Sequence, residues 1–424
     1  MAGLVPRLSG EISLVHAHGE DSSRFVRTVR ESDMRRNPAV PHHNTVFRQI
    51  TRFIPWGTAD RLIEQSDADK WTSRLSTRQQ LLAMILAQLA GTRSLRDAQA
   101  LLESHAARLY HSGLPRAKRS TLADANQKRP ADVFTGLFAA MVDGLDRRLS
   151  RKFGEGVFLM DASVIRLNEL SKWARFSTHL FGVKMHVIYD AKAERPVYFS
   201  VTPARTNDIT AAWEAPIQPG ATYVFDLGYY HYKYWAALDE AGCRFVTRLK
   251  SNTPLRVVRE QKVPKGTNIL ADRIGFLPER QASSRRNPMQ HAVREIRVLL
   301  ETGKEIRVVT NDLDAPAEEI AGLYKRRWAI ELFFRWVKQT LKIGHFFGTS
   351  ENAVKIQIAV ALITFLLIRL AHAAQTAIAE PTRFIRLVSA NLMHRRPLDR
   401  LRSPSPRTEV DAARNVGQMT LQWA

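Results

Sequence analysis

A single cysteine, Cys243, among 424 residues excludes an intrachain disulfide and any cysteine-based zinc cluster. That usage fits a reducing compartment, and a cytoplasmic protein is expected. Negative charge is short as well. Asp and Glu number 41 against 63 Lys and Arg, a formal charge of +22 with a pI near 10.5. Such an excess favours a polyanionic partner, and nucleic acid rather than a membrane surface. The most apolar stretch, Ile356 to Ile368, is too short to span a bilayer and is bracketed by Lys355 and Arg369, so it reads as a buried core helix. The opening MAGLVPRLSGEISLV has no sustained apolar segment of the kind a secretory signal needs. Several site types are missing too. There is no GxGxxG, HExxH or GxSxG, and Gly303-Lys304 lacks the flanking residues of a phosphate-binding loop.

What is present is an ordinary globular composition, 45% apolar and 25% charged, in a chain long enough for two or three domains. Residues 1–40 carry scattered charge and little apolar periodicity, and read as a disordered extension. Residues 41–150 are patterned as helix. Ser76-Thr77-Arg78-Gln79 has capping-box spacing, Gly91 breaks the helix that follows, and Ser94 can cap the next. A short polar helix then stands between Arg116, Lys118 and Arg119 on one side and Lys128 and Arg129 on the other. Helix, turn, helix and basic segment together suggest a DNA-binding module with Arg119 and Lys128 as contacts. A plain helical bundle with basic loops fits the same pattern.

From Val157 the period changes to that of strands. GVFLMDASVIRL, HLFGVKMHVIYD, RPVYFSVT, ATYVFDLG and CRFVTRLK read as five strands, with a helix from Tyr230 to Ala241 before the last. Hairpin strands followed by strand, helix and strand predict an α/β mixed sheet flanked by helices over residues 151–378. A β-rich insertion is expected at about 250–313, with a hairpin around Glu301-Thr302-Gly303. Residues 379–424, rich in arginine and carrying SPSP, read as a loosely ordered basic tail.

The segment Tyr324 to Lys338, YKRRWAIELFFRWVK, has no Gly or Pro and reads as one α-helix. At about 100° per residue, Tyr324, Arg327, Glu331 and Lys338 fall within an arc of about 60°. Leu323, Ile330, Phe334, Val337 and Leu341 form a separate apolar stripe. The helix should therefore dock by one face and present a tyrosine, two cations and a carboxylate along the next. A solvated face with an ordinary Arg327–Glu331 pair is the plainer alternative.

Asp161 and Asp226 are acids at or near the ends of apolar strands, where a buried carboxylate is costly unless paired or metal-bound. Singly, Asp226 could cap the following helix and Asp161 a turn. With Glu331 they can converge at one sheet edge into an all-oxygen site suited to Mg²⁺ or Mn²⁺. Two such ions serve in-line phosphoryl transfer.

These residues carry a family resemblance. Tyr324, Arg327, Glu331 and Lys338 match Tyr-x2-Arg-x3-Glu-x6-Lys, the YREK signature of DDE insertion-sequence transposases. FLMDASVIRL, VFDLGYY and GTSENAVKIQIAVALITFLL are similar to further blocks of that family. HHNTVFRQI to about Val142 resembles the helical N-terminal domain of one branch. The resemblance implies a ribonuclease-H-like core with a β insertion, and Asp161, Asp226 and Glu331 as catalytic residues holding, by expectation, two ions. It implies that Tyr324, Arg327 and Lys338 hold phosphates of the transposon end, that the partner is double-stranded DNA, and that the DNA-bound form is a homodimer. Better-known relatives stack a flipped base on a tryptophan of the insertion. This chain has none between Trp235 and Trp328, and Phe276 is the available substitute.

Rival readings fit less of the chain. His291 and Arg294 form an HxxR, with Tyr324 downstream as in a tyrosine recombinase, but that leaves Asp161 and Asp226 unused. A silent DNA-binding protein explains the charge and not the three acids. A two-metal nuclease without strand transfer uses the same acids, and the YREK match alone argues against it.

Overall fold

The computed structural model describes residues 44–149 and 156–402, apart from Ser73, Pro264, Ser283, Ser284, Lys342 and Gly344. The extension expected over residues 1–40 lies outside the described residues, as does the tail beyond 402.

Helices α1 (Val46–Thr51), α2 (Trp56–Gln65), α3 (Thr77–Ala90), α4 (Leu95–Ser104), α5 (Arg119–Lys128) and α6 (Ala131–Leu149) come first. The capping box forms as its spacing predicts. The Ser76 hydroxyl accepts from the Gln79 N–H, and the Gln79 carboxamide oxygen accepts from the Ser76 N–H. Gly91 ends α3 in the left-handed conformation, and Ser94 caps α4 through the Asp97 N–H. α5 buries Leu122, Ala125 and Asn126 and leaves Arg119, Asp124, Gln127 and Lys128 exposed. Arg129 differs from its basic neighbours. It is buried, pairs with Asp69 at 2.9 Å and donates to the Leu75 carbonyl at 2.6 Å, so it ties the bundle together rather than facing solvent.

Strands β1 (Val157–Leu167), β2 (Phe181–Asp190) and β3 (Arg195–Pro203) are antiparallel neighbours. After the short α7 (Asp208–Ala212), β4 (Thr222–Phe225) adds parallel to β1. α8 (Tyr232–Glu240) then crosses over to β5 (Arg244–Arg248), parallel to β4. The order β3-β2-β1-β4-β5 with this sense of strands is the ribonuclease-H-like sheet. One face is sealed by an aromatic core that includes Tyr223, Phe225, Tyr229, Tyr234, Trp235 and Phe245.

The β-rich insertion does not stand apart from this sheet. It contributes β6 (Arg256–Glu260), β7 (Ile269–Phe276), the small hairpin β8 (Arg280–Ala282) and β9 (Arg285–Arg286), β10 (Val293–Leu299) and β11 (Glu305–Thr310). β11 pairs antiparallel with β5, giving one nine-stranded sheet in the order β3-β2-β1-β4-β5-β11-β10-β7-β6. The β10–β11 hairpin turns at Gly303, at φ 77°. The HxxR residues are committed to ion pairs: His291 to Asp239 at 2.6 Å, and buried Arg294 to Asp272 at 2.7 Å.

Helices α9 (Ala317–Arg326), α10 (Trp328–Thr340), α11 (Glu351–Ala373) and α12 (Pro381–Asn391) close the described chain. The apolar run from Ile356 is part of the 23-residue α11, long and apolar enough by length and composition to cross a membrane. In the fold, 89% of its most apolar window is buried, so it serves as the core helix expected. α11 is shared: it packs on α1, α3, α5, α6 and α12, and also on β3. Its Asn352 carboxamide donates to the Arg129 carbonyl at 2.6 Å and to the Asn126 carbonyl at 3.0 Å, pinning the end of α5.

Part of the expected tail is ordered, a correction to the boundary at 379. α12 buries Phe384, Ile385 and Val388 against the helical module. The chain beyond it then bonds to α1, through Val46 N to the His394 carbonyl at 2.9 Å and Phe47 N to the Leu392 carbonyl at 2.8 Å. The arginines suggested a solvated tail, but the apolar residues between them recur at helical spacing and find a core.

Candidate active site

β1 and β4 run side by side only as far as Met160 and Phe225. The next residue of each is an aspartate, so Asp161 and Asp226 flank the point where the two strands part. Asp161 is not at a strand end, as expected from sequence, because β1 continues to pair with β2 as far as Leu167. Phe158 and Met160 belong to the aromatic core, so strand alternation puts Asp161 on the opposite face.

Asp226 leaves the sheet as the cap of a single 3₁₀ turn, Leu227–Tyr229, its Oδ1 accepting the Gly228 N–H at 2.8 Å. The Thr247 hydroxyl of β5 donates to the Asp226 carbonyl at 3.3 Å, and the buried Trp235 indole donates to the Tyr229 carbonyl at 3.1 Å. The turn is thus held at both ends.

Glu331 comes from the helical segment opposite. The single helix expected from Tyr324 to Lys338 is two helices that meet at Arg327. At the joint, Arg327 N bonds to the Tyr324 carbonyl and Ile330 N to the Arg327 carbonyl, both at 3.1 Å. These three-residue steps are tighter than α-helical ones and break the regular ladder. The apolar stripe behaves as predicted: Leu323, Ile330, Phe334, Val337 and Leu341 are all buried. Phe333, on the same helix, adds contacts to Tyr189 of β2 and Phe365 of α11.

The polar face converges on one cation. Arg327 Nη2 lies 2.5 Å from Glu331 Oε1, and Nη1 lies 3.5 Å from Asp161 Oδ2. Its guanidinium carbon stands 5.8 Å from the centre of the Tyr324 ring. Burial pushes the Asp161 carboxyl up to about 6. The Ala162 N–H that it accepts opposes the rise, the Asp226 charge adds to it, and Arg327 and Glu331 act with smaller, opposite effects. Burial likewise raises the Tyr324 phenol, against the pull of Arg327 and Arg248. Lys338, whose ammonium burial makes more acidic, donates to the Val164 carbonyl of β1 at 2.9 Å.

Asp161 therefore feels both Asp226 and Glu331, Tyr324 and Arg327 stand beside them, and Lys338 reaches β1 at Val164. Arg119 and Lys128 are solvent-exposed on α5. Two site residues carried no sequence signal. Arg248, at the end of β5, is electrostatically coupled to Tyr324, and Asp208, at the start of α7, stands beside Gly228. Arg248 Nε and Arg327 Nε are both buried without a hydrogen-bond partner. Phe276 is half-buried with Arg256 stacked 5.0 Å from its ring centre.

Among the described residues no three metal-ligating side chains are already drawn round one point. The donor set is nonetheless all carboxylate oxygen, and the site already attracts a cation, the Arg327 guanidinium. Hard divalent ions suit such donors.

A family model described as a transposase DDE domain matches residues 152–367. A second, described as a domain of unknown function (DUF4372), matches residues 42–115. The y4zB protein of Sinorhizobium fredii, named as a transposase, is 39% identical over 67% of this chain and 80% of its own length. The protein of Geobacillus stearothermophilus named as the transposase of insertion sequence element IS5377 is 31% identical over 61% of this chain and 68% of its own. Among solved structures, the piggyBac transposase synaptic complex with hairpin DNA overlaps 89% of this chain and 85% of its own, at 10% identity and a TM-score of 0.40.

Proposed function

The chain belongs to the DDE transposases, enzymes that cleave DNA and transfer strands, and on that premise we propose that Asp161, Asp226 and Glu331 are its catalytic and metal-holding residues. The observation that carries this reading is the convergence of Asp161 and Glu331 on Arg327, with the Asp226 charge felt at Asp161. Divalent ions, two Mg²⁺ or Mn²⁺ by this proposal, would supply activation of the attacking oxygen and stabilisation of the leaving one.

The chain's own residues do the rest. Asp226 is presented on a turn that its own Oδ1 ties to Gly228, leaving the other oxygen free of that bond. Arg327 offsets the repulsion of Asp161 and Glu331 until DNA arrives. The unpartnered Nε groups of Arg327 and Arg248 suit the phosphates of the transposon end, with Tyr324 and Lys338 beside them. Exposed Arg119 and Lys128 on α5 would attach the helical module to duplex DNA. Water cleaves at the end, and the freed 3′-hydroxyl attacks target DNA. We place this activity in the cytoplasm, in a homodimer assembled on DNA.

Incubating the full chain with a DNA library and Mg²⁺, then sequencing all products, tests the proposal. Cuts at a recurrent end sequence with 3′ ends joined to new DNA are expected. Cuts that are never joined would contradict strand transfer at this site.

A further inference from the structure

On the far face of the sheet from Asp161, a second carboxylate presses against the turn that carries Asp226. Asp208 begins α7, and the Lys184 ammonium of β2 holds its Oδ1 at 2.9 Å while donating to the Thr206 carbonyl at 2.8 Å. Both side chains are largely withdrawn from solvent, 16% and 24% exposed. His186, on the same strand, stands on another side of Asp208. Its ring is 94% buried, its Nε2 bonds to the Thr202 hydroxyl at 2.8 Å, and its Nδ1 sits 3.8 Å from Asp208 Oδ1 with no hydrogen-bond partner.

Asp208 Oδ2 faces Gly228. A Cβ added to Gly228 would lie 2.8 Å from that oxygen and 3.0 Å from Asp226 Oδ1. A larger residue at 228 would push these carboxylates aside, and the Gly228 N–H is the donor to Asp226 Oδ1. Both carboxylates therefore crowd the place a side chain at 228 would take, and Asp208 packs directly on the turn. Lys184 is the counter-charge that stands against Asp208.

We propose that Asp208, held by Lys184, is a positioning residue for Asp226, fixing the Asp226-Leu227-Gly228 turn so that the free oxygen of Asp226 meets the metal. Asp208 touches neither DNA nor the reacting atoms. The inference rests on the three-carboxylate reading above. Partners that orient a metal ligand from behind are typically worth 10- to 100-fold in metal affinity.

Mn²⁺ binding to the full chain without DNA, followed by electron paramagnetic resonance, provides the test, together with DNA cleavage. Asp208→Asn should weaken Mn²⁺ binding by about 10- to 100-fold with the melting temperature and DNA affinity kept. Its cleavage should recover as Mn²⁺ is raised, whereas that of Asp226→Asn should not. Lys184→Met should shift Mn²⁺ binding in the same direction, and carries the test alone where Asp208→Asn fails to fold. Wild-type Mn²⁺ binding by Asp208→Asn, or by Lys184→Met in that case, beside lost binding in Asp226→Asn would overturn this inference alone. Wild-type binding by Asp226→Asn would remove the three-carboxylate reading, and this inference with it.

Discussion

Asp161 illustrates a conflict between stability and function in one side chain. Its carboxyl is buried beside two others, and its folded pKa of about 6 lies above the ordinary value of 3.8. The charged form therefore opposes folding above about pH 6. The opposition fades as the pH falls from 6 through 3.8, and is gone only below about pH 3, where the group is protonated whether the chain is folded or not. The cost at neutral pH is on the order of 2–3 kcal/mol. In metal-free protein, Asp161→Asn should accordingly raise stability at pH 8, and the gain should shrink through pH 4 and vanish below about pH 3. Denaturant titrations of both proteins at these pH values check this, and equal stabilities at pH 8 would mean Asp161 carries no such burden. Natural sites keep such costs where activity requires them.

At the scale of elements, much was legible and some was not, for identifiable reasons. The five strands of the core were visible because buried strands are apolar runs, and the caps at Ser76 and Ser94 because capping is a local bond. The pairing of β11 with β5 was hidden, since periodicity marks a strand without naming its partner. The break at Arg327 was hidden too, as no Gly or Pro marks it. Asp161, Asp226 and Glu331 could be put forward as a site because acids in apolar settings stand out, and because the YREK gaps are fixed. Asp208 and Arg248 lie in segments where a charged residue is unremarked, and only the fold brings them to the site. The clearest misreading, the tail from 379, gives a direct prediction. A chain ending at Ile378 loses Phe384, Ile385 and Val388, each worth about 1.5–3 kcal/mol when buried. It should unfold at least several degrees lower than the full chain in a thermal melt, and an unchanged melt would return α12 to the status of an appendage.

For the whole molecule, charge and the shared helix α11 set the behaviour. A charge of +22 implies that DNA binding releases many counterions, so log affinity should fall linearly and steeply with log salt. Arg119→Ala and Lys128→Ala should each make that slope shallower by about one, without changing stability, because both side chains are exposed. Filter binding across a salt series reads this, and an unchanged slope in the double variant would move the contacts off α5. Since α11 packs on the helical module and on β3 alike, the distance from α5 to the three carboxylates is fixed by a common core.

By the three-carboxylate proposal Asp226 is chemical as well as structural, and its turn makes a clean separation possible. Asp226 caps the turn Leu227–Tyr229 through Gly228 N, and asparagine caps about as well as aspartate. The decisive measurement is the DNA cleavage rate of Asp226→Asn in Mg²⁺. A folded protein with near wild-type DNA affinity and cleavage reduced by several orders of magnitude is expected. Cleavage close to the wild-type rate would show that Asp226 serves only as a cap, and would contradict the three-carboxylate site.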